Sequence, residues 1–232
     1  YMFTGAINQD VRAILAETGK YWIDREVYVG CSGNFTVERV LASIGVKRLH
    51  SNDVSLYSCA LGKYLVGEKL EVRVMDEKLK WLEEYLEPGI PTIATLALCT
   101  QLLSFTDRDE PYFKRMFNAY VRKWDELHAK TMDRIQQCLD GVEIEEFYAG
   151  DVIDFLSNAP DDAVVVTFPP TYKGGYERLY KKFDEVFDWE KPQYEIFDDE
   201  RFNLLMELVT DRDDWMTLRD KEQPDWEEYL KG

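Results

Sequence analysis

Three short stretches of this sequence hold residue types that could bind a small molecule. The first, Gly30-Cys31-Ser32-Gly33-Asn34, is a run of small residues directly after the apolar "VYV". Small residues let a backbone come close to a ligand, and a helix beginning just beyond offers N–H groups that have no partner within the helix. The second is Asp53, about twenty residues after the glycine turn, where an acid can accept hydrogen bonds from ribose hydroxyls. The third is Asp151 in "FYAGDVIDFL", a carboxylate able to accept from the exocyclic amine of a purine. Each has a plain alternative when taken singly, since a GxxG pair arises by chance and an aspartate is more often a turn or cap residue. Their order on alternating strand and helix patterns points instead to an adenosine-containing cofactor. No second half of a dinucleotide fold follows, so no pyrophosphate is expected.

A fourth stretch, "VVVTFPPTYKGGY" at residues 164–176, runs from an apolar strand pattern straight into Pro169-Pro170, Thr171, Tyr172 and a glycine pair. The bland reading is a double proline that ends a strand. The chemical reading depends on Phe168, which brings an apolar ring to the position just before the prolines.

The elements that must carry these residues follow from periodicity. Ile7, Val11, Ile14 and Leu15 have helical spacing, with Gly19 as a stop. A short buried strand is expected over Glu26–Val29. A helix over 35–45 follows, with Val37, Val40, Leu41 and Ile44 on one face and Gly45 at its end. "KRLHSNDVS" reads as a second strand ending near Asp53, and "LYSCALGKYLVG" as a second helix. From about 70 to 140 the pattern is helical in "DEKLKWLEEYL", in "IPTIATLALCTQLLSF" and in one long helix between Asp109 and Gly141. The stripe Phe113, Met116, Phe117, Tyr120, Val121 and Trp124 on that long helix is read as core packing. Strand, turn, short helix and strand then return. The expectation is an α/β protein with a Rossmann-like sheet begun over 1–69, a helical insertion over 70–140, and the remainder over 141–232 with an acidic helical end.

Composition limits the partners. The chain carries a net charge of −17, which repels nucleic acid unless cations gather on one face; "KRLH" and "YKKF" are too short to provide one. No apolar run is long enough for a membrane span and the start lacks signal-peptide character, so a cytoplasmic protein is the default. Cys31, Cys59, Cys99 and Cys138 lack metal-ligand spacing and only two histidines are present, so reduced, mostly buried thiols are expected and no metal.

The order "VYVGCSGNF", "LHSNDVSLYSCALGKYL", "EFYAGDVIDFL" and "DAVVVTFPPTYKGGYERLYKKFDEVFDW" resembles the Dam-like S-adenosylmethionine-dependent DNA adenine-N6 methyltransferases over roughly residues 1–195. The resemblance implies a class I methyltransferase sheet with a helical insertion and S-adenosylmethionine as cofactor. The segment "FTGAINQ" matches the family's pre-strand pocket segment only loosely. By the same resemblance Gly30, Ser32, Gly33 and Asn34, with Tyr28 just before them, hold the methionine portion. Asp53 then holds the ribose, and Asp151 with Val152 holds the adenine. DNA is the implied partner, which the net charge disfavours. The family's catalytic motif is Asp, Asn or Ser, then Pro-Pro, then Tyr or Phe. Its first side chain and a prolyl carbonyl aim the target amine, and the aromatic ring stacks on the flipped base. Here the positions read Phe168, Pro169, Pro170 and Thr171, with Tyr172 one place late. A slow or inactive adenine methyltransferase is therefore expected, in a phage-type DNA-modification role. The competing readings are a module that binds or regulates without catalysis and, third, an acidic mimic of DNA.

Overall fold

The computed structural model describes residues 7–106, 109–169 and 175–218. Five strands form one parallel sheet: β1 (Glu26–Gly30), β2 (Arg48–Asp53), β4 (Glu146–Ala149), β5 (Val164–Thr167) and β7 (Trp215–Thr217), in the order β4-β2-β1-β5-β7. Val27 pairs with Val164 and Val29 with Val166, so the first and fourth chemical stretches lie side by side, as the sequence leads one to expect. The strand order reverses at β1, and in parallel sheets ligands bind outside the carboxyl ends of strands at such a switch point.

Alternation along the strands divides the core between the two faces. Val27, Val29, Leu49, Val164 and Val166 belong to the main cluster with α1 (Gln9–Gly19), α2 (Thr36–Ser43), α3 (Leu56–Leu65) and α4 (Ile90–Thr106). Tyr28 and Val165 face a smaller cluster with α7 (Val152–Ser157) and α9 (Asp199–Thr210). This distribution is what right-handed crossovers demand, because the chain winds one way from β1 through β4 and returns the other way to β5 and β7.

Several local expectations are corrected. α1 does end at Gly19, as expected, but with φ −61 rather than a positive φ, and the chain continues into a 3-10 turn. A Cβ there would come within 2.7 Å of Leu41, so this glycine serves the close approach of α1 and α2. The stretch around Leu79 and Leu82 is a 3-10 segment, Glu77–Tyr85, preceded by an unforeseen strand β3 (Val72–Val74). β3 pairs antiparallel with another unforeseen strand, β6 (Phe187–Trp189), which follows α8 (Gly175–Val186). The expected long helix is two, α5 (Pro111–Arg122) and α6 (Trp124–Leu139), broken at Lys123 where Trp124 turns into the core against Trp81 and Tyr85. Phe117, Tyr120 and Val121 pack on the main core, while Phe113 and Met116 are only half-buried at the end of the stripe. All four thiols are free, but Cys138 is exposed. No helix among the described residues is long and apolar enough to cross a membrane.

One contact fixes the seat of α3 on the sheet. A Cβ at Gly62 would sit 2.1 Å from the Phe147 ring of β4, and a ring held in the sheet cannot withdraw that far. Gly62→Ala is expected to cost about 2–3 kcal/mol of stability through overpacking. Urea unfolding of the two proteins checks this, and Phe147→Leu in the same background should recover part of the loss.

Candidate functional site

The carboxyl end of β1 is shaped by what Gly30 lacks. A Cβ there would meet Val152 Cγ2 at 2.8 Å and Thr167 Oγ1 at 3.0 Å, so only glycine lets β1 end beneath α7 and beside β5. Beyond it Cys31, Gly33 and Phe35 take positive φ of 61, 54 and 55, folding the turn tightly before α2. Ser32 is buried, and its N–H donates to the Asn52 carbonyl at 2.9 Å. Asn34 is half-buried, with no side-chain hydrogen bond among the described residues.

Asp53 joins this turn to the next strand. Its Oδ2 accepts from the Gly33 N–H at 2.8 Å, while Oδ1 accepts from Val54 and Ser55 at 2.8 and 2.9 Å. The carboxylate is 7% exposed. Ser55 caps α3 through the Ser58 N–H, and the Ser58 hydroxyl donates to the Gly33 carbonyl at 2.8 Å, closing the loop of contacts. Asn52, which sequence reasoning passed over, spans the neighbouring gap. Its Nδ2 donates to the carbonyls of Tyr148 and Gly150 at 3.0 and 2.7 Å, tying the end of β2 to the turn that carries Asp151. The only sequence signal for it was adjacency to Asp53.

Asp151 is more heavily engaged than expected. It caps α7 by accepting from Ile153 N–H at 2.9 Å, and its other oxygen accepts from Glu195 N–H at 3.0 Å. The Arg201 guanidinium of α9 also forms an ion pair with it and reaches Glu195 at 3.0 Å. Arg201, fifty residues further along the chain, gave no local signal of this pairing. Val152, next in the chain, is buried against the second core cluster. Tyr28 lies in that cluster too, its ring stacked on His50 with centroids 4.3 Å apart. Cys31 sits between the two acids: burial above all, then the Asp53 carboxylate, pushes its thiol up, and Asp151 adds to this.

The proline motif begins where β5 ends. Thr167 is fully buried, its hydroxyl without a hydrogen-bond partner among the described residues. Phe168 is half-buried and packs against the main core cluster, on the face opposite Thr167, and Pro169 is buried. Pro170, Thr171 and Tyr172 lie outside the described residues.

Beneath the glycine turn lies Glu38 of α2, fully buried, its Oε1 accepting from Ser51 at 2.9 Å and its Oε2 without a hydrogen-bond partner. Burial pushes its carboxyl up to about 7, opposed by the nearby Ser32 and Ser51 hydroxyls. A carboxyl raised from 4.5 contributes its full stability below that pH, where both states hold the proton, and loses it as pH rises through about 7. Stability should therefore fall between about pH 4.5 and about pH 7, by up to about 3 kcal/mol from this group. Glu38→Gln, whose amide oxygen can still accept from Ser51, should flatten that slope and exceed the parent at pH 8 in thermal unfolding.

A search of curated proteins finds no match to the chain. A family model described as "Phage DNA Adenine Methylase-like domain 1" matches residues 3–232, almost the whole sequence. That extent agrees with the parallel sheet, the order reversal at β1 and the joined glycine turn and acid. The chain belongs to the phage DNA adenine methylase-like domain family and has a methyltransferase-like fold.

Proposed function

We propose that this domain binds S-adenosylmethionine at the carboxyl edge of its sheet and acts on adenine N6 in DNA, with methyl transfer slowed by Phe168. The observation that carries the cofactor reading is the Asp53 carboxylate hydrogen-bonded to the Gly33 N–H, an acid and a glycine turn brought together at the switch point. The site fits the group: Asp53 Oδ2 has a single backbone donor, leaving it an acceptor for a ribose hydroxyl. Gly33 and Asn34 would hold the methionine portion, and Val152 with Asp151 the adenine. Asp151 already accepts from Ile153, Glu195 and Arg201, so it has little remaining capacity for an exocyclic amine.

When bound, S-adenosylmethionine supplies an electrophilic methyl group on a sulfonium. The chain's own residues must aim the attacking nitrogen, which gains positive charge in the transition state. An apolar ring at Phe168 offers no acceptor, and the Pro169 carbonyl can still offer one. Losing one aimed acceptor costs about 10²- to 10³-fold in rate. A second reading, a methyltransferase-like module that binds without catalysing, is favoured by the packing of Phe168 on the main core.

Two measurements test this. Asp53→Ala should weaken S-adenosylmethionine in calorimetry by about ten- to a hundredfold, the worth of a charged hydrogen bond; parental affinity in a variant that still melts cooperatively would remove the ribose assignment. Methyl incorporation into duplex DNA should be slow for the parent and rise for Phe168→Asp. Brisk parental turnover that Phe168→Asp abolishes would show that Phe168 is part of a working site, and no turnover by either protein would favour the binding module.

A further inference from the structure

We propose that the exposed basic face of α5 is a contact surface for nucleic-acid phosphates, a reading that rests on the DNA-directed function above. Residues 111–124 contain Lys114, Arg115, Arg122 and Lys123 and no acid, and no other acid-free stretch of the sequence holds as many cations. This corrects the expectation that the chain has no basic cluster: the signal was present, spread along a helical pattern rather than in consecutive letters.

The helix places these charges together. α5 has no buried residue, although Phe117, Tyr120 and Val121 lie against the core and the Tyr120 hydroxyl donates to the Leu98 carbonyl. At 3.6 residues per turn Lys114, Arg115, Asn118 and Arg122 fall within an arc of about 100° on the other side, and all four are exposed. Arg115 and Arg122 also line a shallow open groove with Tyr112, Met116 and Asn118.

Several of this chain's cations have carboxylate partners, as with Arg25–Asp214, Arg48–Glu26 and Arg201–Asp151. Lys114 is paired with Asp109 at 2.8 Å. Arg115 and Arg122 form no ion pair among the described residues. Their Nε atoms donate to the Pro111 and Asn118 carbonyls, each at 3.2 Å, which steadies the side chains, and both residues are exposed. A guanidinium fork matches phosphate oxygens bidentately. The apolar side of α5 is turned to the core, so the helix lacks the free apolar face that membrane-surface binding requires. In a chain of net charge −17, binding a polyanion depends on such a local face.

The test is fluorescence anisotropy of a labelled DNA duplex over a sodium chloride series, with the parent and Arg115→Gln/Arg122→Gln. The double variant should bind at least tenfold more weakly at low salt, and its log–log salt slope should be shallower by about 1.8, since each lost phosphate contact removes about 0.9. Arg115→Lys/Arg122→Lys should restore most of the slope, while S-adenosylmethionine affinity and melting temperature stay at the parental value. Equal affinity and slope in parent and double variant would overturn the assignment of this face, and would leave the methyltransferase reading standing. No duplex binding by the parent at about 20 mM salt would overturn it too, with the cofactor titration reporting separately on that reading. A variant that loses binding to anionic vesicles but keeps DNA affinity would assign the face to lipid instead.

Discussion

The Asp53 carboxylate is the constraint on which the carboxyl edge depends. It is a carboxylate with little access to water, accepting from three backbone N–H groups of two different segments. An unpaired buried charge would be prohibitive, so the Gly33 turn and the start of α3 must both be in place for the carboxylate to stay there. Positive φ at Cys31, Gly33 and Phe35 is tolerated because that satisfaction outweighs the local strain. The Ser58 hydroxyl on the Gly33 carbonyl then locks the same turn from its other side.

Asn52 extends the arrangement across the sheet. Its backbone carbonyl receives Ser32 and its amide serves Tyr148 and Gly150, so three strand ends are held by one residue. The second acid is held from farther away. Glu195, between β6 and α9, and Arg201 of α9 both reach Asp151, which brings the later part of the chain over the edge where the cofactor is proposed to sit. Any ligand that uses Asp151 must share it with that arginine.

Charge in this molecule is local rather than uniform. The net −17 predicts repulsion from DNA at long range, yet the field near a surface follows the groups within about a Debye length, about 8–10 Å. Arg115 and Arg122 on α5 form no ion pair among the described residues, whereas Arg25, Arg48 and Arg201 each meet a carboxylate. A whole-chain charge is thus a poor guide to what one helix face can hold.

The sequence by itself determined the parallel α/β sheet, because Val27–Val29, Leu49 and Val164–Val166 are apolar runs bounded by glycine and aspartate, a pattern that local physics reads directly. It also marked Gly33 and Asp53 as candidates, since glycine and acid spacing reflects the strand–helix–strand repeat. It could not mark β3, β6 or β7, each three residues long and stable only through its partner strand. The break at Lys123 was equally hidden: no glycine or proline stands there, and burial of Trp124 among Trp81 and Tyr85 decides it. The Asp151–Arg201 pair, the orphaned oxygen of Glu38 and the inward side of Phe168 were settled only by tertiary packing. They depend on which groups distant segments bring within a few ångströms, and that distance has no counterpart in local sequence.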